Sequence, residues 1–183
     1  FKYTNYNTNT IASSIQVNSQ VSSVQIDSCI FYCCGSTEIH SIKILNRFSS
    51  INNCKFLGDN SNENYKFGAI SITCGGTHSI TYCFAEHTYK NFAFEYNTDA
   101  DTYQDKHFIL QHILIDNARG TDQKALCLKF KNDKEIILEN VTLQNMHQNG
   151  VAVFGLTAGG ITKIELKEIR FINIRVQNNN MGG

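Results

Sequence analysis

Six times along the chain, an apolar residue is followed by a second three positions on and a third two beyond that. The set reads Ile26-x-x-Cys29-x-Phe31, Ile51-x-x-Cys54-x-Phe56, Ile80-x-x-Cys83-x-Ala85, Leu110-x-x-Ile113-x-Ile115, Leu138-x-x-Val141-x-Leu143 and Leu166-x-x-Ile169-x-Phe171. Successive lead positions differ by 25, 29, 30, 28 and 28 residues. Self-similarity at a period of roughly 20–50 residues marks a stacked repeat, in which each unit buries its apolar face only against its neighbours.

Within each unit, the positions three and five after the lead share parity, as the inward face of a strand requires. The lead has the opposite parity, so the chain must bend between it and the next apolar residue. The bend residues are Ser28, Asn53, Tyr82, His112, Asn140 and Glu168. Most are polar, and Asn tolerates the left-handed conformation that other L-residues avoid. Val24, Phe108, Ile136 and Ile164, two before the lead, extend the preceding strand in four of the six units. A second alternating stretch lies between motifs, at 41–45, 69–73, 92–96, 125–130 and 151–156. The polar, variable segments 59–66, 98–106 and 120–124 read as loops leaving one corner.

Two or three short parallel strands per unit, with no helical period between them, predict an all-β chain. The expected fold is a right-handed parallel β-helix of about six coils. Asn117, Asn145 and Asn173 each stand seven after a lead, where stacked amides can bond from coil to coil. The rival repeat is the leucine-rich one, which opens with similar spacing. It places Asn at the eighth offset, however, and the segment Gly68-Ala-Ile-Ser-Ile-Thr73 alternates as a strand rather than a helix.

The 183 residues read as a single domain, with 1–23 an irregular first coil or cap, 24–176 the stacked coils and 177–183 a tail. The opening Phe1 and the tail Met181-Gly182-Gly183 are expected to mark a segment of a longer surface protein. Sixteen basic and sixteen acidic residues cancel, which argues against nucleic acid or an anionic membrane as a partner through bulk charge. There is no long apolar run of the kind that spans a membrane. Pro is absent, which suits unbroken strand ladders. Of seven cysteines, none forms a Cys-x-x-Cys pair of metal-binding spacing, and Cys29, Cys54 and Cys83 share one repeat position. They are expected as a column of core thiols, with disulfides between neighbouring coils as the alternative.

The lines Ser50-Ile-Asn-Asn-Cys-Lys-Phe56 and Phe67-Gly-Ala-Ile-Ser-Ile72 resemble the repeats of polymorphic-membrane-protein-like surface proteins, which are pectin-lyase-type β-helices. The resemblance spans roughly residues 24–174, and the short motif stands in the second and third repeats. It implies an extracellular or cell-surface stalk with an adhesive role, and it carries over no catalytic residue.

Many β-helices cleave polysaccharides, so acid–base chemistry is the next test. Asn97-Thr98-Asp99 matches the first motif of polygalacturonase-like hydrolases, and Thr121-Asp122-Gln123 follows about one coil later. The first stands after its strand rather than before it, and no carboxylate pair or His-Gly stands at the equivalent positions. Asp99, Asp101 and Asp105 have a spacing open to calcium or to a solvated acidic loop. The six histidines share no His-x-x-x-His, and His87 and His112 fall at turns. Asn140-Val141-Thr142 is a glycosylation acceptor sequence at an exposed bend.

Binding fits the residues better. Tyr65, Phe67, Tyr89 and Tyr103 lie on or beside the loops, with Asn97, Asp99, Asp101 and Asp105 near them. Aromatic faces with amides and carboxylates can hold sugar rings; the same aromatics would also serve as covers for loop bases. The expected function is a non-enzymatic adhesion or binding stalk, without cofactor, whose partner is a glycan or a host-surface protein. End-to-end self-association is expected of exposed edge strands. A polysaccharide hydrolase or lyase and a purely structural spacer are the alternatives.

Overall fold

The computed structural model describes residues 14–33, 39–58, 67–88, 93–98, 101–120, 126–149, 154–160 and 163–177. Expectations for 59–66, 121–124 and the tail at 178–183 lie outside the described residues. Among the described residues the regular structure is strand throughout.

The strands climb in rungs. The first rung holds β1 (Ile15–Val17), β2 (Val24–Asp27) and β3 (Ile30–Cys33), and the second β4 (Ile39–Ile44), β5 (Phe48–Asn52) and β6 (Lys55–Gly58). The third holds β7 (Phe67–Ile72), β8 (Thr77–Thr81) and β9 (Phe84–Glu86). Then come β10 (Phe94–Asn97), β11 (His107–Asp116) and β12 (Arg119–Gly120), followed by β13 (Leu126–Lys131), β14 (Glu135–Gln144) and β15 (His147–Asn149). β16 (Phe154–Gly159), β17 (Lys163–Ile172) and β18 (Arg175–Gln177) complete the series.

Each strand pairs in parallel with its equivalent one rung away. One wall runs β1-β4-β7-β10-β13-β16. A second runs β2-β5-β8 into the first half of β11, and a third runs β3-β6-β9 into its second half. The stack is a β-solenoid of about four turns rather than the six coils expected. A turn is closed only when it has a neighbour on each side, and the first and last of the six strands in the first wall are edges. Of the expected strand at 151–156, residues 154–156 lie in β16, and 151–153 lie outside the described residues.

The predicted bends carry the geometry. Ser28, Asn53, Tyr82, His112, Asn140 and Glu168 all adopt φ between 50° and 54°. A left-handed residue turns the chain and moves the inward face from one parity to the other, which is why the lead and its followers differ in parity. A second corner repeats the device at His87, Asn117, Asn145 and Asn173. A third uses Asn132 and, one rung on, Gly160.

The core is the set of inward columns. Ile26, Ile51, Ile80, Leu110 and Leu138 are buried, as are Phe31, Phe56, Ala85, Ile115 and Leu143. Phe31 and Phe56 stack at 5.0 Å between centroids, and Tyr96 stacks on Phe108 at 4.2 Å. Each such side chain, fully buried, contributes about 1.5–3 kcal/mol. Cys29, Cys54 and Cys83 are free thiols in one column, the last two buried. Within that pair the bond with Cys83 lowers the Cys54 thiol from its ordinary value, against burial. The Cys83 thiol is correspondingly pushed up, by that same bond and then by burial.

Candidate functional site: a polar groove at the second corner

The second corner is where the outer surface becomes concave. β9, β11 and β14 end there on Glu86, Asp116 and Gln144, and each chain then turns through its left-handed residue. The turn is held by backbone bonds from rung to rung. His87 N–H donates to Asp116 O at 3.1 Å, Asn117 N–H to Gln144 O at 3.0 Å and Asn145 N–H to Ile172 O at 3.0 Å. A groove of about 550 Å³ results, lined by Glu86, Asp116, Asn117, Asn145, Asn173 and Arg175 over buried Met146.

Side chains along the groove are fixed by one another. Asp116 accepts Gln144 Nε2 at 2.8 Å on one oxygen and Asn145 Nδ2 at 2.9 Å on the other. Asn173 Nδ2 donates to Asn145 Oδ1 at 2.9 Å, so one step of the expected amide ladder forms. The next step departs from it, because the Asp116 carboxylate, a stronger acceptor than an amide oxygen, takes the Asn145 amide. Asn117 Nδ2 lies 2.9 Å from His87 Nδ1. Donation along that contact leaves the other ring nitrogen as the N–H, and His87 Nε2 stands 3.1 Å from Glu86 Oε1. The result is a wall of preset donors and acceptors repeated at the rung spacing.

Of the loop residues singled out from sequence, those described do not line this groove. Tyr65, Tyr89 and Asp99 lie outside the described residues. Phe67 opens β7 and is buried in the core, and Asn97 ends β10, half-buried. Asp101, Tyr103 and Asp105 share one loop, in which both carboxylates are already engaged. Asp101 accepts the Gly75 amide at 2.5 Å and the Tyr103 amide at 2.9 Å. Partial burial works against its ionisation, but those two amides and Arg47 outweigh it and hold the carboxyl below its usual range. Arg47 also lies over the Tyr103 ring, 4.1 Å from its centroid. Asp105 is exposed and pairs with Lys134 at 2.7 Å. Among the described residues no group of three His, Cys, Asp or Glu is placed to hold a metal ion.

A second polar cluster lies inside the solenoid. Ser49 Oγ and His78 Nδ1 are 2.8 Å apart, and His78 Nε2 is 2.8 Å from the Cys74 carbonyl. The carbonyl can only accept, so Nε2 carries the proton and the Ser49 hydroxyl donates to Nδ1. A serine, an imidazole and an orienting acceptor are the parts of an activated nucleophile. Here they are enclosed, His78 at 0% and Ser49 at 6% exposure, so the pair is built into the wall rather than offered to a substrate. Burial lowers the His78 imidazole from 6.5 to about 4, against upward pulls from the Cys74 carbonyl and Asp101. Nearby, the buried Asp133 accepts Tyr96 Oη at 2.7 Å and Thr98 Oγ1 at 3.1 Å. The buried Lys106 donates to the carbonyls of Asp101 at 2.7 Å and Thr98 at 3.2 Å.

Sequence reasoning marked the Asn column but missed Glu86, Asp116 and Arg175. Their signal was positional: both acids stand immediately before a second-corner residue, one rung apart. Compared with protein-family models, curated proteins and solved structures, the chain has no match.

Proposed function

We propose that this chain is the non-enzymatic shaft of an extracellular or cell-surface protein and binds an extended polar ligand, a glycan strand, along the second-corner groove. One observation carries the reading: the groove repeats its chemistry from rung to rung, with Asn117, Asn145 and Asn173 in register and Glu86 and Asp116 beside them. A ligand that is itself a repeat can meet such a surface at successive positions. Sugar hydroxyls both donate and accept, which suits a mixed row of amides, carboxylates and one guanidinium. The likeness of two repeats to surface-protein β-helices supports the location.

The binding reading is favoured over hydrolysis by the state of Asp116. Glycoside cleavage needs one carboxyl free to hold a proton and another free to meet water or the sugar. Both Asp116 oxygens instead accept side-chain amides, which makes the group a fixed acceptor. The test is binding of the labelled chain to a glycan array that includes uronic-acid polymers, with Arg175→Ala alongside. Retention of one polymer, weakened about tenfold or more by the substitution, is expected for a charge-assisted contact. A blank array would leave a spacer or protein-binding role, and turnover of the retained polymer would overturn the non-enzymatic part.

A further inference from the structure

The last long strand is an edge of unusual make-up. β17 pairs with β14 alone among the described residues. Its inward side chains are half-open: Ile164 is 38% exposed, Leu166 51% and Phe171 50%. Their register partners Ile136, Leu138 and Leu143 are at 0%. A long apolar edge of this kind is a template for another strand.

The backbone says which groups face outward along the axis. Ile172 O turns back to accept Asn145 N–H, and His107 N–H turns back to Gly76 O. Lys163 follows His107 in the same register through Glu135, so it also turns back. Successive residues of a strand alternate in this respect, and the alternation resets at the left-handed Glu168. Ile164, Leu166, Ile169 and Phe171 therefore point their N–H and C=O groups at the open side.

The strand is also complementary to itself. A two-fold axis through the corner, between Lys167 and Glu168, runs a second copy of β17 antiparallel to the first. It sets Ile164 opposite Phe171 and Leu166 opposite Ile169, inward face against inward face. This matching works only because the bend moves the inward face from 164 and 166 to 169 and 171. The same pairs are the ones whose backbone groups face the partner, so they become the hydrogen-bonded pairs. The outward pairs are then Glu165 with Arg170 and Lys167 with Glu168, each opposite in charge and each occurring twice. In one copy these charges pair locally, Arg170 with Glu168 at 3.1 Å and Lys167 with Glu165 at 2.8 Å. Such exposed pairs exchange at little cost.

We infer that the chain forms a tail-to-tail two-fold dimer through β17, with a second copy of itself as the occupant of that edge. A head-to-tail stack is disfavoured because, among the described residues, the inward Ile26 and Phe31 of the first rung are only 6% and 3% exposed and offer no counterpart to the half-open Leu166 and Phe171. The dimer needs no ligand in the groove, so it stands or falls separately from the proposed glycan binding.

The test is sedimentation equilibrium of the full chain over a range of concentrations, with charge reversals at the interface. Glu165→Arg places Arg opposite Arg170 in both symmetry-related pairs. Arg170→Glu places Glu opposite Glu165. Each is expected to weaken the dimer by roughly tenfold to a hundredfold. The double variant E165R/R170E restores opposite charges and is expected to recover the dimer. Arg170 is exposed and Glu165 half-buried, and far-UV circular dichroism confirms that each variant is folded. A chain that stays monomeric at every concentration overturns the inference. So does a dimer indifferent to the single reversals, or one that the double reversal fails to restore. A monomer that dimerises only after removal of residues 178–183 assigns the edge to the chain's own tail and overturns it as well.

Discussion

Lowering the pH from about 7 to about 5 is expected to destabilise the solenoid through one side chain, His78. Its ring is fully buried between Ser49 and the Cys74 carbonyl, and it already uses its single N–H on that carbonyl. A second proton on Nδ1 would have to face the Ser49 oxygen, breaking the present donation and leaving a charge inside the wall. The folded ring is held at about 4, against 6.5 when exposed. Between those values the unfolded chain binds a proton that the folded chain refuses. Stability is therefore full above the unfolded value and falls as the pH drops toward the folded one. Linkage puts the loss between those two conditions at about 2 kcal/mol. Urea unfolding followed by circular dichroism at each pH measures it. The control is the double variant Ser49→Val, His78→Phe, which replaces both partners and removes the titrating ring. It is expected to lose most of the pH dependence, whatever its absolute stability. Asp101, depressed below its ordinary value, titrates beneath this window. An unchanged pH slope in the double variant would refute the reasoning, as would a flat profile in the parent chain.

Substitutions at three further positions test the corners and the core by the same unfolding assay. Asn53→Ala forces a Cβ residue without amide compensation into φ 50° and loses the bond from Asn53 Nδ2 to Ser28 Oγ, so a loss of about 1–2 kcal/mol is expected. Asn53→Gly should recover most of it, since glycine adopts that conformation freely. Gly76→Ala would bring a Cβ within 1.8 Å of the Arg47 carbonyl oxygen, a backbone clash that no rotamer relieves. A loss of about 3 kcal/mol or more is expected there. Phe56→Ala removes a ring stacked on Phe31 and edge-on to Phe94, with an expected loss of about 3–5 kcal/mol.

Much of the fold was legible because a solenoid writes each structural demand several times. The parity change between lead and followers located all six first-corner residues, even where the residue was Tyr, His or Glu. The most informative failure of the pattern lies two positions before the lead. Val24, Phe108, Ile136 and Ile164 keep that inward column apolar, and only the second and third units break it. The breaks are Ser49 and His78, which are register neighbours and satisfy each other inside the wall. Two polar residues in adjacent rungs of one core column are thus a sequence signal for a buried hydrogen-bonded pair. The groove was harder to read. Glu86 and Asp116 look like ordinary strand-end acids, and their meeting depends on the second corner, which the motif does not mark. The aromatic loop residues drew attention through their type, whereas position decided their fate: Phe67 falls on an inward strand face.

The corners also show how a repeat tolerates residues that its geometry disfavours. A non-glycine residue in the left-handed region costs about 1–2 kcal/mol, least for Asn. Tyr82, His112 and Glu168 lack that local compensation, and each finds a partner instead. Tyr82 and His112 stack across one rung at 4.4 Å, Asn140 Nδ2 meets His112 Nδ1 at 2.9 Å, and Arg170 bridges Glu168 and Asn140. The first corner from Tyr82 to Arg170 is therefore one connected column rather than a set of separate turns. A change at His112 removes a support from the rung on either side of it. His112→Ala should cost more than the bend alone accounts for, and the excess should shrink in a Tyr82→Asn background, where the lower neighbour no longer needs the stack. Additive effects of the two substitutions would show that each corner residue carries its own strain, and the column would then be an alignment without coupling.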